Sequence, residues 1–187
     1  MRNDRGFTLI EILITVAIIA ILAGVGVGVT TTLVRMTRGE TGAQQLDGFL
    51  KRHREMAVAR RRDIEIRFIA PNQVQSAQRA VPDPPAATPA PTVLETMTFE
   101  GRIGYRLFPG VPDTPNLFGN ATEVAVGGTA PTMFSSEGAF IDAGNNPVNA
   151  TISLGIEGDP LSATAVTVLG ATASIERWRW NGANWTK

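Results

Sequence analysis

From Ile12 to Val34 no charged residue interrupts the chain, whereas from Leu46 to Arg60 apolar and polar positions alternate at steps of three and four. Wound as a helix, the first stretch would run roughly 35 Å at 1.5 Å per residue, enough to cross a hydrocarbon layer of about 30 Å. In the second, Leu46, Phe49, Leu50, His53, Met56 and Ala57 fall on one face, the mark of a helix that buries one side. His53 lies on that stripe and reads as a packed core residue. Between and within the two stretches stand Gly24, Gly26, Gly28, Gly39 and Gly42. Each costs a helix interior about 1 kcal/mol relative to alanine, which predicts the softest part of the rod here.

At Asp63 the period changes. Ile64, Ile66 and Phe68 take alternate positions, as a strand requires. Further strands are predicted at Val93–Phe99, Ile103–Phe108, Thr132–Phe134, Ala150–Ile156, Ala163–Leu169 and Thr172–Trp180, with Gly, Pro, Asn and Asp in the intervals. The stretch Val81–Pro91, VPDPPAATPAP, holds neither a helix nor a central strand and reads as an exposed loop. One long helix followed by many short strands predicts an α+β fold. Its N-terminal helix, membrane-spanning in its first half, would pack on a C-terminal antiparallel sheet or sandwich.

Charge is distributed unevenly. Residues 1–67 carry 11 Lys/Arg and 7 Asp/Glu, and residues 68–187 carry 6 and 10. The acidic body is unlike a nucleic-acid-coating domain, which needs a basic face. Lys51, Arg52, Arg54, Arg60, Arg61 and Arg62 gather where the helix should end, where cations suit its dipole. Cysteine is absent, which excludes disulfides and thiolate metal sites, and His53 is the one histidine. Multi-histidine metal centres are thereby excluded, and no metal, cofactor or enzymatic activity is expected. Asp142, Asn145 and Asn146 offer oxygens of the kind calcium takes, but three without a fuller ligand set read as an Asx-rich turn.

The N-terminus carries the sharpest signal. A polar leader with Arg2 and Arg5 ends at Gly6, and Phe7-Thr8-Leu9-Ile10-Glu11 leads into the apolar run. A carboxylate inside a membrane costs several kcal/mol and so calls for a partner or a function. A secretory signal peptide would end in a small-x-small site, and Leu22-Ala23-Gly24 lacks the first small residue. The segment from Gly6 to Glu11 resembles the class III signal of type IV prepilins residue by residue. That resemblance implies cleavage between Gly6 and Phe7 by prepilin peptidase and N-methylation of Phe7. It also implies that Glu11 meets the terminal amine of a neighbouring subunit, since neither charge is tolerable unpaired in an apolar surrounding. The implied partners are other pilin or pseudopilin subunits and an inner-membrane assembly platform. The implied location is the inner membrane, crossed once, with the C-terminal domain in the periplasm.

Four parts follow: leader 1–6, membrane and assembly helix 7–34, helical stalk 35–62 and β-rich domain 63–187. The second half, from Met133-Phe134-Ser135-Ser136-Glu137-Gly138 through the last strands to Trp180, is similar to minor pseudopilins of the H type and related minor pilins. It lacks the C-terminal cysteine pair of many major pilins. Near its end Arg177 and Arg179 alternate with Trp178 and Trp180, which puts arginines and tryptophans on opposite faces of an edge strand. The arginines resemble those of a Gly-Arg-x-Arg motif with which some minor pilins bind DNA, but Glu176 stands in the glycine's place. A carboxylate there opposes a phosphate, so nucleic acid is not the expected partner, and a DNA-uptake subunit is the alternative reading.

Overall fold

The structure, a computed structural model, describes residues 9–79 and 90–187. Gly6, Phe7 and most of the Pro-rich stretch therefore lie outside the described residues. Among the described residues one helix, α1 (Leu9–Arg60), precedes eleven strands. The chain divides into two compact units, Met1–Arg35 and Met36–Lys187.

In the second unit the helical stripe is buried. Ala43, Leu46, Phe49, Leu50, His53 and Ala57 are at most 1% exposed, at the three- and four-residue spacing that keeps them on one face. The helix ends in a Schellman cap. Arg61 takes a left-handed φ of 51°, its N–H reaches the Val58 carbonyl (3.2 Å), and the Arg62 N–H reaches that of Ala57 (3.1 Å).

The strands form two antiparallel sheets. The first contains β1 (Ile64–Ile69), β2 (Gln73–Gln78), β3 (Thr92–Thr98), β6 (Thr132–Phe134) and β7 (Phe140–Ile141), in the order β3-β2-β1-β6-β7. The second runs β11-β10-β9-β8-β4, with β5 also paired to β8. Its members are β4 (Ile103–Tyr105), β5 (Val124–Val126), β8 (Ala150–Ile156), β9 (Asp159–Leu169), β10 (Ser174–Trp180) and β11 (Trp185–Thr186). Ile64 and Ile66 of the first sheet, Ile152, Leu154, Val166 and Val168 of the second, and the helical stripe share one core. The fold is thus α+β, with helix packed on antiparallel sheets.

Several expectations are corrected. Strands β2, β5, β7 and β11 were not predicted. In β2 the sequence QVQSAQ buries Val74, Ser76 and Ala77, whose mixed polarity hides the period. The other three have two or three residues and exist through their partners. The Ile103–Phe108 strand ends at Tyr105, and β9 starts four residues before Ala163, because a tight turn at Gly158 (φ 77°) pairs Ile156 with Asp159. Strand β10 is not at an edge, since β11 pairs with it. Gly39 and Gly42 also have a packing role that the sequence did not announce. A Cβ on Gly39 would lie 2.1 Å from the Ser162 carbonyl oxygen, and one on Gly42 would lie 2.7 Å from Ile103 Cγ2. The helix approaches the second sheet here so closely that Thr164 Oγ1 donates to the Gly39 carbonyl (3.2 Å).

Candidate functional sites

Ten large apolar residues between Leu9 and Leu22 are 51–82% exposed. At 3.6 residues per turn they surround the helix with no gap wider than about 60°. A helix that is apolar all round belongs in a membrane or among other helices, not in water. Glu11 is exposed among them, and its backbone carbonyl accepts from Thr15 Oγ1 one turn on. Among the described residues no helix is long and apolar enough to cross a membrane. The side chains of residues 25–34 lie outside the described residues.

Strand alternation places Arg177 and Arg179 together on one face of β10, but their surroundings differ. Arg177 Nη1 lies 2.8 Å from Glu40 Oε1 and its Nε 3.6 Å from Asp47 Oδ2, both on α1. The guanidinium is therefore taken up as a tie between helix and sheet, and Arg179 alone of the pair is exposed. Trp178 and Trp180 are 8% and 7% exposed on the opposite face. There Trp178 Nε1 donates to Thr167 Oγ1 (3.1 Å). Glu176 shares that face, away from the arginines. Lys187 Nζ (2.6 Å) and Asn116 Nδ2 (3.0 Å) donate to its carboxylate, and the Lys187 contact, followed by that of Asn116, holds its pKa below the usual value.

Four of the six basic residues around the helix end have side-chain contacts that fix them to the body. Lys51 pairs with Asp47 (2.9 Å) and Arg52 with Glu95 of β3 (2.7 Å). Arg54 Nε donates to the Gly138 carbonyl (3.1 Å) and Arg60 to Gln78 (3.0 Å). His53 is fully buried. Its Nδ1 lies 2.8 Å from the Phe49 carbonyl, so that nitrogen carries the proton, and Nε2 accepts from Ser76 Oγ (2.8 Å). Burial dominates its titration and lowers its pKa, against the raising effects of the Phe49 hydrogen bond and Glu95. Asp142 closes an Asx turn. Its Oδ1 accepts from the Gly144 and Asn146 amides (2.9 Å each) and its Oδ2 from the Thr129 amide (3.2 Å). These bonds, Asn146 first, lower its pKa and occupy the oxygens that calcium would need. Among the described residues no group of three or more His, Cys, Asp or Glu could hold a metal ion.

Residues 1–27 match the family model described as the prokaryotic N-terminal methylation motif. Over this segment the chain is similar to proteins that carry that motif. The matched segment includes Gly6, Phe7 and Glu11. No curated protein matches the chain. Among solved structures it is similar to the minor pseudopilin EpsH from the type 2 secretion system of Vibrio cholerae, at 13% identity and a TM-score of 0.46. That alignment covers 76% of this chain and 97% of the other. Sequence reasoning missed Glu40 and Asp47 as the partners of Arg177, and no local signal could have found them, since 137 positions separate Glu40 from Arg177.

Proposed function

We propose that this protein is a structural subunit, a minor pilin or pseudopilin of a type IV pilus or type II secretion system. The observation that carries the reading is the methylation motif over residues 1–27, continued by a helix that exposes apolar side chains on every side. In this reading prepilin peptidase cuts between Gly6 and Phe7, and Phe7 is methylated. The uncharged run Ile12–Val34 holds the precursor in the inner membrane, with the β-rich domain in the periplasm. An assembly platform then extracts the helix into a filament, where neighbouring helices replace lipid around Leu9–Leu22. Glu11 offsets the new terminal ammonium of an adjacent subunit, because either charge left alone in that apolar interior would cost several kcal/mol. The body contributes a folded surface and no chemistry.

The test is intact mass and N-terminal sequencing of the protein extracted from membranes of a host with an active prepilin peptidase. The expected product begins at Phe7, with the mass of one added methyl. Retention of residues 1–6 in that host refutes the assignment.

A further inference from the structure

Asparagine, then any residue but proline, then serine or threonine is the tripeptide on which N-linked sugars are built. The chain carries it three times, at Asn120-Ala121-Thr122, Asn149-Ala150-Thr151 and Asn184-Trp185-Thr186. The motif specifies both an amide and a hydroxyl, so an enzyme that reads it needs access to both. The folded surroundings of each copy decide whether that access exists.

Two copies are shut. Asn149 Oδ1 accepts from the Gly170 amide (2.9 Å), and Ala150 and Thr151 of β8 are 0% and 2% exposed. Asn184 lies in the turn before β11. Its amide donates to Asn181 Oδ1 (2.8 Å), and its carbonyl accepts from the Asn181 amide (3.1 Å). Trp185 packs against Trp180 with ring centres 5.6 Å apart, and the Thr186 hydroxyl donates to the Arg179 carbonyl (3.3 Å). Lifting either copy from the body would break strand pairing.

The third copy lies open. Gly119 to Glu123 are exposed without a break, in the loop between β4 and β5. The body holds this stretch at its two ends. The Gly119 amide donates to Asp113 Oδ2 (2.8 Å), and the Glu123 carbonyl accepts from the Ser153 amide (2.8 Å). Between those ties the bonding is local. Asn120 Oδ1 accepts from the Thr122 amide (3.2 Å) and lies 2.5 Å from Thr122 Oγ1. The single proton of that hydroxyl is shared with the Val124 carbonyl (3.0 Å). Ala121 closes this Asx turn with a left-handed φ of 64°. The turn sets the threonine hydroxyl beside the carboxamide and engages its oxygen. Asn120 Nδ2 has no partner among the described residues.

We propose that Asn120 is an acceptor for an N-linked oligosaccharide delivered on a polyprenyl diphosphate. In the transfer Asn120 Nδ2 attacks the anomeric carbon, and the bond from that carbon to the diphosphate oxygen breaks. Polyprenyl diphosphate leaves with the electron pair, and a base of the transferase takes the amide proton. In cells the step also requires the body to reach the compartment of the transferase, which rests on the exported position proposed above.

The test uses the full-length chain in lipid nanodiscs with a purified oligosaccharyltransferase that reads Asn-x-Thr and its lipid-linked oligosaccharide. Neither leader cleavage nor export enters this assay, so its failure leaves the pilin or pseudopilin reading standing. Intact mass should show one oligosaccharide per chain, and peptide mapping should place it on Asn120. Asn120→Gln and Thr122→Val should each lose the sugar, and Thr122→Ser, which retains the hydroxyl, should keep it. Asn149→Gln and Asn184→Gln should leave it in place. Both test positions are exposed, and unchanged urea unfolding of the variants separates loss of the acceptor from loss of the fold. No transfer to the chain while a free acceptor peptide is modified overturns the proposal. So does sugar on Asn149 or Asn184 of the folded chain, or transfer that survives Thr122→Val.

Discussion

Leu13 and Leu46 stand in the same helix, yet Leu13 is 63% exposed and Leu46 is fully buried. Around Leu13 apolar residues face every direction, and no polar face identifies a side for water. Around Leu46 they keep to one stripe, and both sheets cover it. The difference is one of partners. The second stretch finds its apolar surroundings within the chain, whereas the first must find them outside it, in lipid or in other subunits. A helix needs only a continuous run of backbone hydrogen bonds to form, so helicity is common to both stretches while the solvent each demands is not.

The comparison can be broken most directly by truncating one leucine in each region. Leu46→Ala should cost the body about 2–5 kcal/mol, the usual range for a large buried aliphatic residue. Leu13→Ala should leave body stability within about 0.5 kcal/mol, as judged by urea unfolding followed through Trp178 and Trp180. An equal loss at both sites would mean that the first stretch supports the body directly.

A second pair distinguishes glycines that permit contact from one that does not. Gly39→Ala must displace the backbone of Ser162 and should destabilise by about 1–3 kcal/mol, as overpacking does. Gly48, with nothing within 4 Å of an added Cβ, should gain up to about 1 kcal/mol on conversion to alanine. Thermal unfolding of the two variants side by side decides it, and a stable Gly39→Ala would restore the view of these glycines as loose points.

The buried histidine gives a pH test. Its folded pKa is lowered, so below the unfolded value of about 6.5 the unfolded chain binds a proton that the folded one refuses. Stability should therefore fall as pH drops from about 6.5 toward the folded pKa, by at most about 1.4 kcal/mol per pH unit, and level off below it. Stability curves of wild type and His53→Gln over this window should differ in slope, with the variant flatter. Parallel curves would show that His53 does not titrate differently on folding.

The smallest effect is expected at the helix cap. Arg61 pays for a left-handed backbone that glycine adopts freely, so Arg61→Gly should stabilise the body by about 1 kcal/mol. A loss on this substitution, read from the same urea curves, would indicate that the Arg61 side chain contributes more than its backbone costs.

Much of this protein is written in short-range pattern. The signal around Gly6 to Glu11 is a local sequence of charge, glycine and apolar run. The Leu46–Ala57 stripe is a helical period, and strands β6 and β8 carry enough β-branched and apolar residues to announce their limits. Such features follow from backbone geometry and solvent preference, which act over a few residues. What lies beyond that reach belongs to the tertiary structure. Strand β11 exists because β10 lies beside it, and Arg177 is a helix tie because folding brings Glu40 and Asp47 to it. Gly39 is a contact glycine because β9 arrives there. In each case the deciding partner is distant in the chain, and an ion pair or a steric contact leaves no periodic trace in the residues between.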